Sequence, residues 1–214
     1  GLSLSAVVTQ FLVLDAAPSG YGLERWAIAL NNEGSSGYAT VARTQIQELA
    51  PFLRDYPDWI TRQDALHIGT HPPGLFVTAH LARTVCLARP GLARRIGQSM
   101  PSSTHAAFKA IAPFAPLSLA DQAALALTGF LTLVACSWTV IPIYLLARVA
   151  LPAEGAWVTA SLWPLCASAL MFQPTADTAF PLLSTTSLAC AAGATRTQWS
   201  GWRSAVLAWL AGVV

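Results

Sequence analysis

From Gln122 to Ala147 the chain carries no charged side chain, and Gly155–Ala176 and Thr178–Thr195 repeat the pattern. In lipid a single segment this apolar can satisfy its backbone N–H and C=O groups only as a helix. About 20 apolar residues in a helix cross the hydrocarbon core. The sequence therefore predicts membrane-spanning helices at 122–147, 155–176 and 178–195, the first kinked by Pro142. Only 10% of the 214 residues are charged, against about 25% in a soluble domain, so the composition is of the membrane type. Leu2–Leu14 reads as the end of an earlier span, closed by Asp15 and Pro18-Ser19-Gly20, and 204–214 as the start of a later one. A signal-peptide core is the other reading of Leu2–Leu14, but no basic stretch or clear small-residue cleavage site flanks it. With Gly1 rather than Met at the start, the expectation is a fragment of a longer polytopic protein.

All charged residues except Arg148, Glu154, Asp177, Arg196 and Arg203 lie between Asp15 and Asp121. Residues 15–121 are thus expected to form one long polar loop with amphipathic juxtamembrane helices. One helix is predicted from Tyr38 to about Leu53, capped by Ser36, with Val41, Ile46, Leu49 and Leu53 approximating one face. Asp55-Tyr56-Pro57-Asp58-Trp59 is expected to end it. Pro72-Pro73 opens a second helix, Gly74–Leu87, whose length, His80 and Arg83 make it a poor span and a better interfacial helix. Arg89–Pro116 reads as a basic, proline-punctuated linker. Arg148 and the Arg196/Arg203 connector mark the cytoplasmic side. Asp177 then falls on the extracytoplasmic side, together with the whole insert if Gly74–Leu87 does not cross. Arg89, Arg94, Arg95 and Lys109 are the argument for the opposite case.

A net charge of +2 without a basic stripe gives no footprint for nucleic acid. Cys86, Cys136, Cys166 and Cys190 lack metal spacing and read as small buried hydrophobes. Glu33 lies in the glycine- and serine-rich stretch Asn31–Gly37, where a pliant backbone would let a carboxylate approach a substrate; the alternative is a solvated loop acid. Asp177 is a lone acid between apolar runs, a site candidate or a helix N-cap. His67 and His71 have the i, i+4 spacing of a metal pair, but Gly69 and Pro72 oppose a continuous helix and no third ligand is near. Hydrogen bonding to phosphate or sugar, or packing, are their other readings. Arg43, Arg62 and Arg83 suit an anion, either a substrate phosphate or a lipid headgroup. Asp55, Asp58 and Asp64 stand close enough in sequence to Arg54 and Arg62 for local pairing.

Three patterns in order resemble the membrane-embedded C-type glycosyltransferases, in particular the protein-mannosyltransferase and aminoarabinose-transferase-like group. They are Glu33-Gly34-Ser35-Ser36-Gly37-Tyr38-Ala39-Thr40-Val41-Ala42-Arg43, then Thr70-His71-Pro72-Pro73-Gly74-Leu75, and finally Pro142–Arg148 with Trp163-Pro164 and Phe172-Gln173-Pro174-Thr175-Ala176-Asp177. The paired acids common in the family's first loop are represented by Glu33 alone, and no arginine immediately precedes the Asp177 motif. The resemblance implies an all-α, polytopic bundle in a bacterial plasma membrane. It implies inverting transfer of a sugar from a polyprenyl-phosphate donor to an acceptor on the extracytoplasmic side. Glu33 would be the base and Asp177 would orient the acceptor or the base. Tyr38, Arg43, His67, His71 and Arg83 would line the substrate site. No organic cofactor is implied, and a divalent metal, used by some relatives, has no visible ligand set. The competing classes are a transporter, which would place charges or broken helices within its spans, and a noncatalytic membrane subunit.

Overall fold

Prolines decide where the helices of this chain begin and break. A computed structural model describes residues 1–64, 68–195 and 201–213. Helix accounts for 76% of the structure and no strand occurs among the described residues, so the fold is all-α. Helix α1 (Leu2–Asp15) ends at the expected turn, where Gly20 takes a φ of 91°. α2 (Glu24–Asn31) is followed by α3 (Tyr38–Thr44) and α4 (Leu49–Ile60). The single helix expected over Tyr38–Leu53 is thus two helices. Continued through Leu53, it would press the Pro51 ring against the carbonyl of Gln47 and demand an N–H that proline lacks. The helix therefore stops and restarts, with Pro51 in the first turn of α4, where no intrahelical N–H is needed. Pro57, expected to help end this segment, lies inside α4 instead, which runs one further turn to Ile60.

A short 3-10 turn, Ile68–Thr70, precedes α5 (Gly74–Ala88), the helix predicted after Pro72-Pro73. The stretch read as a linker forms α6 (Pro90–Ser99) and α7 (Ser102–Ile111). Pro90 and Pro101 are starts, since a fixed φ suits the first helical positions, while Pro113 and Pro116 lie in the connection to the next helix. α8 (Leu119–Trp138) and α9 (Val140–Ala147) follow almost end to end, with Pro142 in the first turn of α9. Together, Leu119–Ala147 is the one stretch of 18 or more helical residues that is apolar enough to cross a membrane among the described residues.

The run 155–176 is not the single span expected. It divides into α10 (Ala153–Ser161), a 3-10 turn at Trp163–Leu165 and α11 (Ala167–Met171). Pro164 breaks the i to i−4 ladder there, and Pro174 keeps the helix from resuming before Ala176. α12 (Ala176–Ala194) covers most of the predicted 178–195 run but carries Pro181 and four consecutive hydroxyl residues, Ser184–Ser187. α13 (Gly201–Val213) closes the described chain; Arg196 lies outside the described residues.

The chain divides into two compact units. An insert unit comprises 14–132 and 173–176; an apolar unit comprises 1–13, 133–172 and 177–214. In the insert unit α3 packs on α5, and α2 packs on α3 and α7. Gly129 of α8 accepts the indole of Trp26 so closely that a Cβ there would stand 2.5 Å from Trp26 Cδ2. In the apolar unit Ala6, Val140 and Ala160 are buried, with Leu2, Ile143, Tyr144 and Trp163 packed against them. Gln10 is buried as well. Its Oε1 accepts from Ser137 Oγ at 2.6 Å and its Nε2 donates to Cys136 Sγ at 3.7 Å, satisfying an amide on an otherwise apolar helix.

Candidate functional site

The insert unit carries most of the residues that the sequence singled out, and Tyr38 joins three of its segments. Tyr38 opens α3 and is fully buried. Its ring lies 5.1 Å from that of His71 and 5.0 Å, edge-on, from Phe76 of α5. Its Oη accepts a hydrogen bond from the N–H of Ala176 at 3.3 Å. Three segments far apart in sequence therefore converge on one side chain: the Glu33–Arg43 stretch, the His71–Phe76 helix start and the Gln173–Ala176 strip. Expected to contact substrate, Tyr38 offers no surface to solvent; its place is that of a pin between these segments.

Around it stands an interlocked aromatic group. Phe76 faces Trp59 at 5.6 Å and Tyr56 at 6.3 Å, and Phe52 faces Trp59 at 5.2 Å. Tyr56 donates its hydroxyl proton to the carbonyl of His71. Burial pushes the Tyr56 hydroxyl up to about 12, so it remains a donor across the physiological range. This bond ties α4 to the turn before Pro72-Pro73 and fixes the direction in which α5 leaves.

Glu33 is exposed, as a general base open to substrate must be. Its backbone is not the pliant loop expected. Asn32 Oδ1 accepts from the Gly34 N–H at 3.0 Å, and the Ser35 N–H closes a turn on the Asn32 carbonyl at 3.0 Å. Ser36, predicted to cap α3, donates its Oγ proton back to the Ala29 carbonyl of α2 at 2.7 Å. Gly37 occupies the cap position instead, with φ at 60°. A Cβ at Gly37 would meet Glu33 Cα at 3.0 Å and Ile68 Cδ1 at 3.1 Å, so both conformation and space require glycine there. Glu33 thus rides on a turn hydrogen-bonded at both ends.

Arg43 and Arg83 line one narrow cleft with Asn31, Asp121 and Thr128. Neither guanidinium stands alone in it. Arg83 Nε donates to Asp121 Oδ1 at 2.8 Å, and Arg43 Nη1 donates to the Pro116 carbonyl at 3.4 Å. The Nε of Arg43 is buried without a hydrogen-bond partner among the described residues. Asp121 also accepts from Ser118 Oγ at 2.6 Å, while the Asp121 N–H returns to that oxygen at 3.1 Å, which caps α8. The sequence reading missed this pair. The Ser118-Leu119-Ala120-Asp121 spacing ahead of an apolar run was the available signal; nothing local marked Arg83 as its partner.

Asp177 is exposed in the first turn of α12, where a carboxylate complements the helix dipole; it is within the helix rather than its cap. Gln173 was not singled out as a site residue. It is buried, and neither its Nε2 nor its Oε1 has a hydrogen-bond partner among the described residues. His67 lies outside the described residues. Among the described residues no cluster of three or more His, Cys, Asp or Glu could hold a metal ion. A scan of protein-family profiles and searches of curated proteins and of solved structures return no match to this chain.

Proposed function

We propose that the chain belongs to a membrane glycosyltransferase that moves a sugar from a polyprenyl-phosphate donor to an acceptor at the extracytoplasmic surface. The observation that carries this reading is the convergence on Tyr38 of parts of all three motifs behind the resemblance. Membrane residence is supported by the Leu119–Ala147 stretch and by large apolar side chains on the outside of the apolar unit, such as Leu162 at 61% and Leu165 at 62% exposure. Large exposed apolar side chains such as these are suited to contact with lipid or a partner. In a polytopic bundle the remaining helices of that unit would pack beside α8 and α9.

In this reading Glu33 takes the proton of the acceptor hydroxyl as its oxygen bonds to the anomeric carbon. The bond from that carbon to the phosphate oxygen breaks on the opposite face, inverting the centre, and the lipid phosphate leaves with the bonding pair. A turn pinned at both ends favours this role, since a base must be held at hydrogen-bonding distance from the proton it removes. Arg43 and Arg83 supply positive charge toward the departing phosphate, with Asp121 holding the Arg83 fork in place. Asp177 orients the acceptor. The test is transfer from a radiolabelled polyprenyl-phosphate sugar in membranes carrying the protein. Glu33→Gln and Asp177→Asn are each expected to abolish transfer while insertion is unchanged; full activity in both variants would remove the assignment.

A further inference from the structure

The residues that follow α3 build a second cleft, away from Glu33 in sequence and unused by the transfer reading. Its walls are Gln45, Gln47, Glu48, Pro51, Phe52, Asp55, Trp59 and Arg62, and its open volume is about 460 Å³. Small-molecule sites run from roughly 300 to 1,000 Å³. Phe52, Asp55 and Trp59 fall at steps of three and four and share one face of α4, with Glu48 just before the helix and Arg62 just after it.

The floor is preorganised. Trp59 is half-buried, gripped by Phe52 at 5.2 Å, Tyr56 at 5.6 Å and Phe76 at 5.6 Å. Its indole N–H donates to Gln45 Oε1 at 2.9 Å, which orients both groups and leaves the two amide N–H donors of Gln45 outside that bond. A ring held this way gives up little conformational freedom on binding. The polar rim mixes acceptors, the Glu48 and Asp55 carboxylates, with donors, the Arg62 guanidinium and the Gln45 and Gln47 amides. Two carboxylates against one guanidinium disfavour an anion. A hydroxyl both donates and accepts, so a ligand rich in hydroxyls matches such a rim, while the C–H face of a pyranose fits an aromatic floor.

We propose that this cleft binds a neutral saccharide on Trp59, which the buried Phe52 backs, with Glu48, Asp55, Arg62 and the two glutamines engaging its hydroxyls. The proposal rests on the geometry of α4 and not on transfer at Glu33, and the two fail separately. The protein is placed in lipid nanodiscs, because a maltoside detergent would itself present a sugar. Saturation-transfer NMR is then recorded with maltotriose, mannotriose and chitotriose, and with spermidine as the cationic comparison. At least one trisaccharide is expected to receive saturation. Asp55→Asn should weaken its binding about tenfold, as loss of a charged hydrogen bond does. Trp59→Ala should abolish it, and Trp59→Phe, which keeps apolar packing, should weaken it with the fold intact by circular dichroism. Lys109→Ala, at an exposed position of α7, should change nothing. Saturation of none of the trisaccharides, binding of spermidine alone, or unchanged trisaccharide binding in Asp55→Asn and Trp59→Phe would overturn the proposal.

Discussion

The two units differ in where they keep their aromatic side chains. The insert unit buries an aromatic group, Tyr38 and Phe76 wholly and Phe52 and Tyr56 nearly so, while Tyr21 and Phe114 stay exposed and its charged groups lie on or near the surface. Beside Leu133 and Val140, the apolar unit buries mainly small or polar side chains, Ala6, Ala156, Ala160, Gln10, Ser137 and Thr139, and turns Trp157, Leu162, Leu165, Leu188 and Trp209 outward. Water drives the first arrangement through the hydrophobic effect. In lipid that drive between helices vanishes, and association falls to close packing of small residues and to hydrogen bonds between helices. In the proposed reading the base, Glu33, belongs to the insert unit, and Asp177 belongs to the apolar unit.

The largest expected effect separates the units directly. Phe76→Ala removes the ring that touches Tyr38, Phe52, Tyr56 and Trp59, and should cost about 3–5 kcal/mol, as buried Phe truncations do. Leu165→Ala, at 62% exposure in the apolar unit, should cost well under about 1 kcal/mol. Reversible unfolding in lipid-detergent mixtures measures both; equal costs would erase the contrast.

A smaller effect tests the interior of the apolar unit. Gln10→Leu removes the acceptor of Ser137 Oγ and the donor to Cys136 Sγ. The expected loss is about 1 kcal/mol, since side-chain hydrogen bonds between membrane helices average below that. A gain in stability on the same unfolding assay would show that the glutamine does not hold α1 to α8.

The sequence made the helical class legible, because charge-free runs and proline-led starts are local signals. It also marked the α5 start at Pro72-Pro73 and the end of α1. It misjudged breaks that depend on where a proline sits relative to a carbonyl four residues earlier, as at Pro51, and took Pro90 and Pro101 for linker marks although they open helices. A long uncharged run proved a poor guide to a continuous span at 155–176, since Pro164 breaks the helix without altering hydropathy. Of the candidate site, the residue types were readable and the partners were not. The Arg83–Asp121 pair and the meeting of Tyr38 with Ala176 join positions that only the tertiary fold brings together.

The proposed reading requires Glu33 to stand in water while Leu162 of the apolar unit faces lipid. With the native cysteines replaced by serine, one cysteine is introduced at Gly34, beside Glu33, or at Leu162. Each variant is treated in intact bilayers with a water-soluble, charged maleimide. The expected result is rapid labelling at position 34 and none at position 162 until detergent dissolves the membrane. Equal labelling of both before detergent would contradict the account.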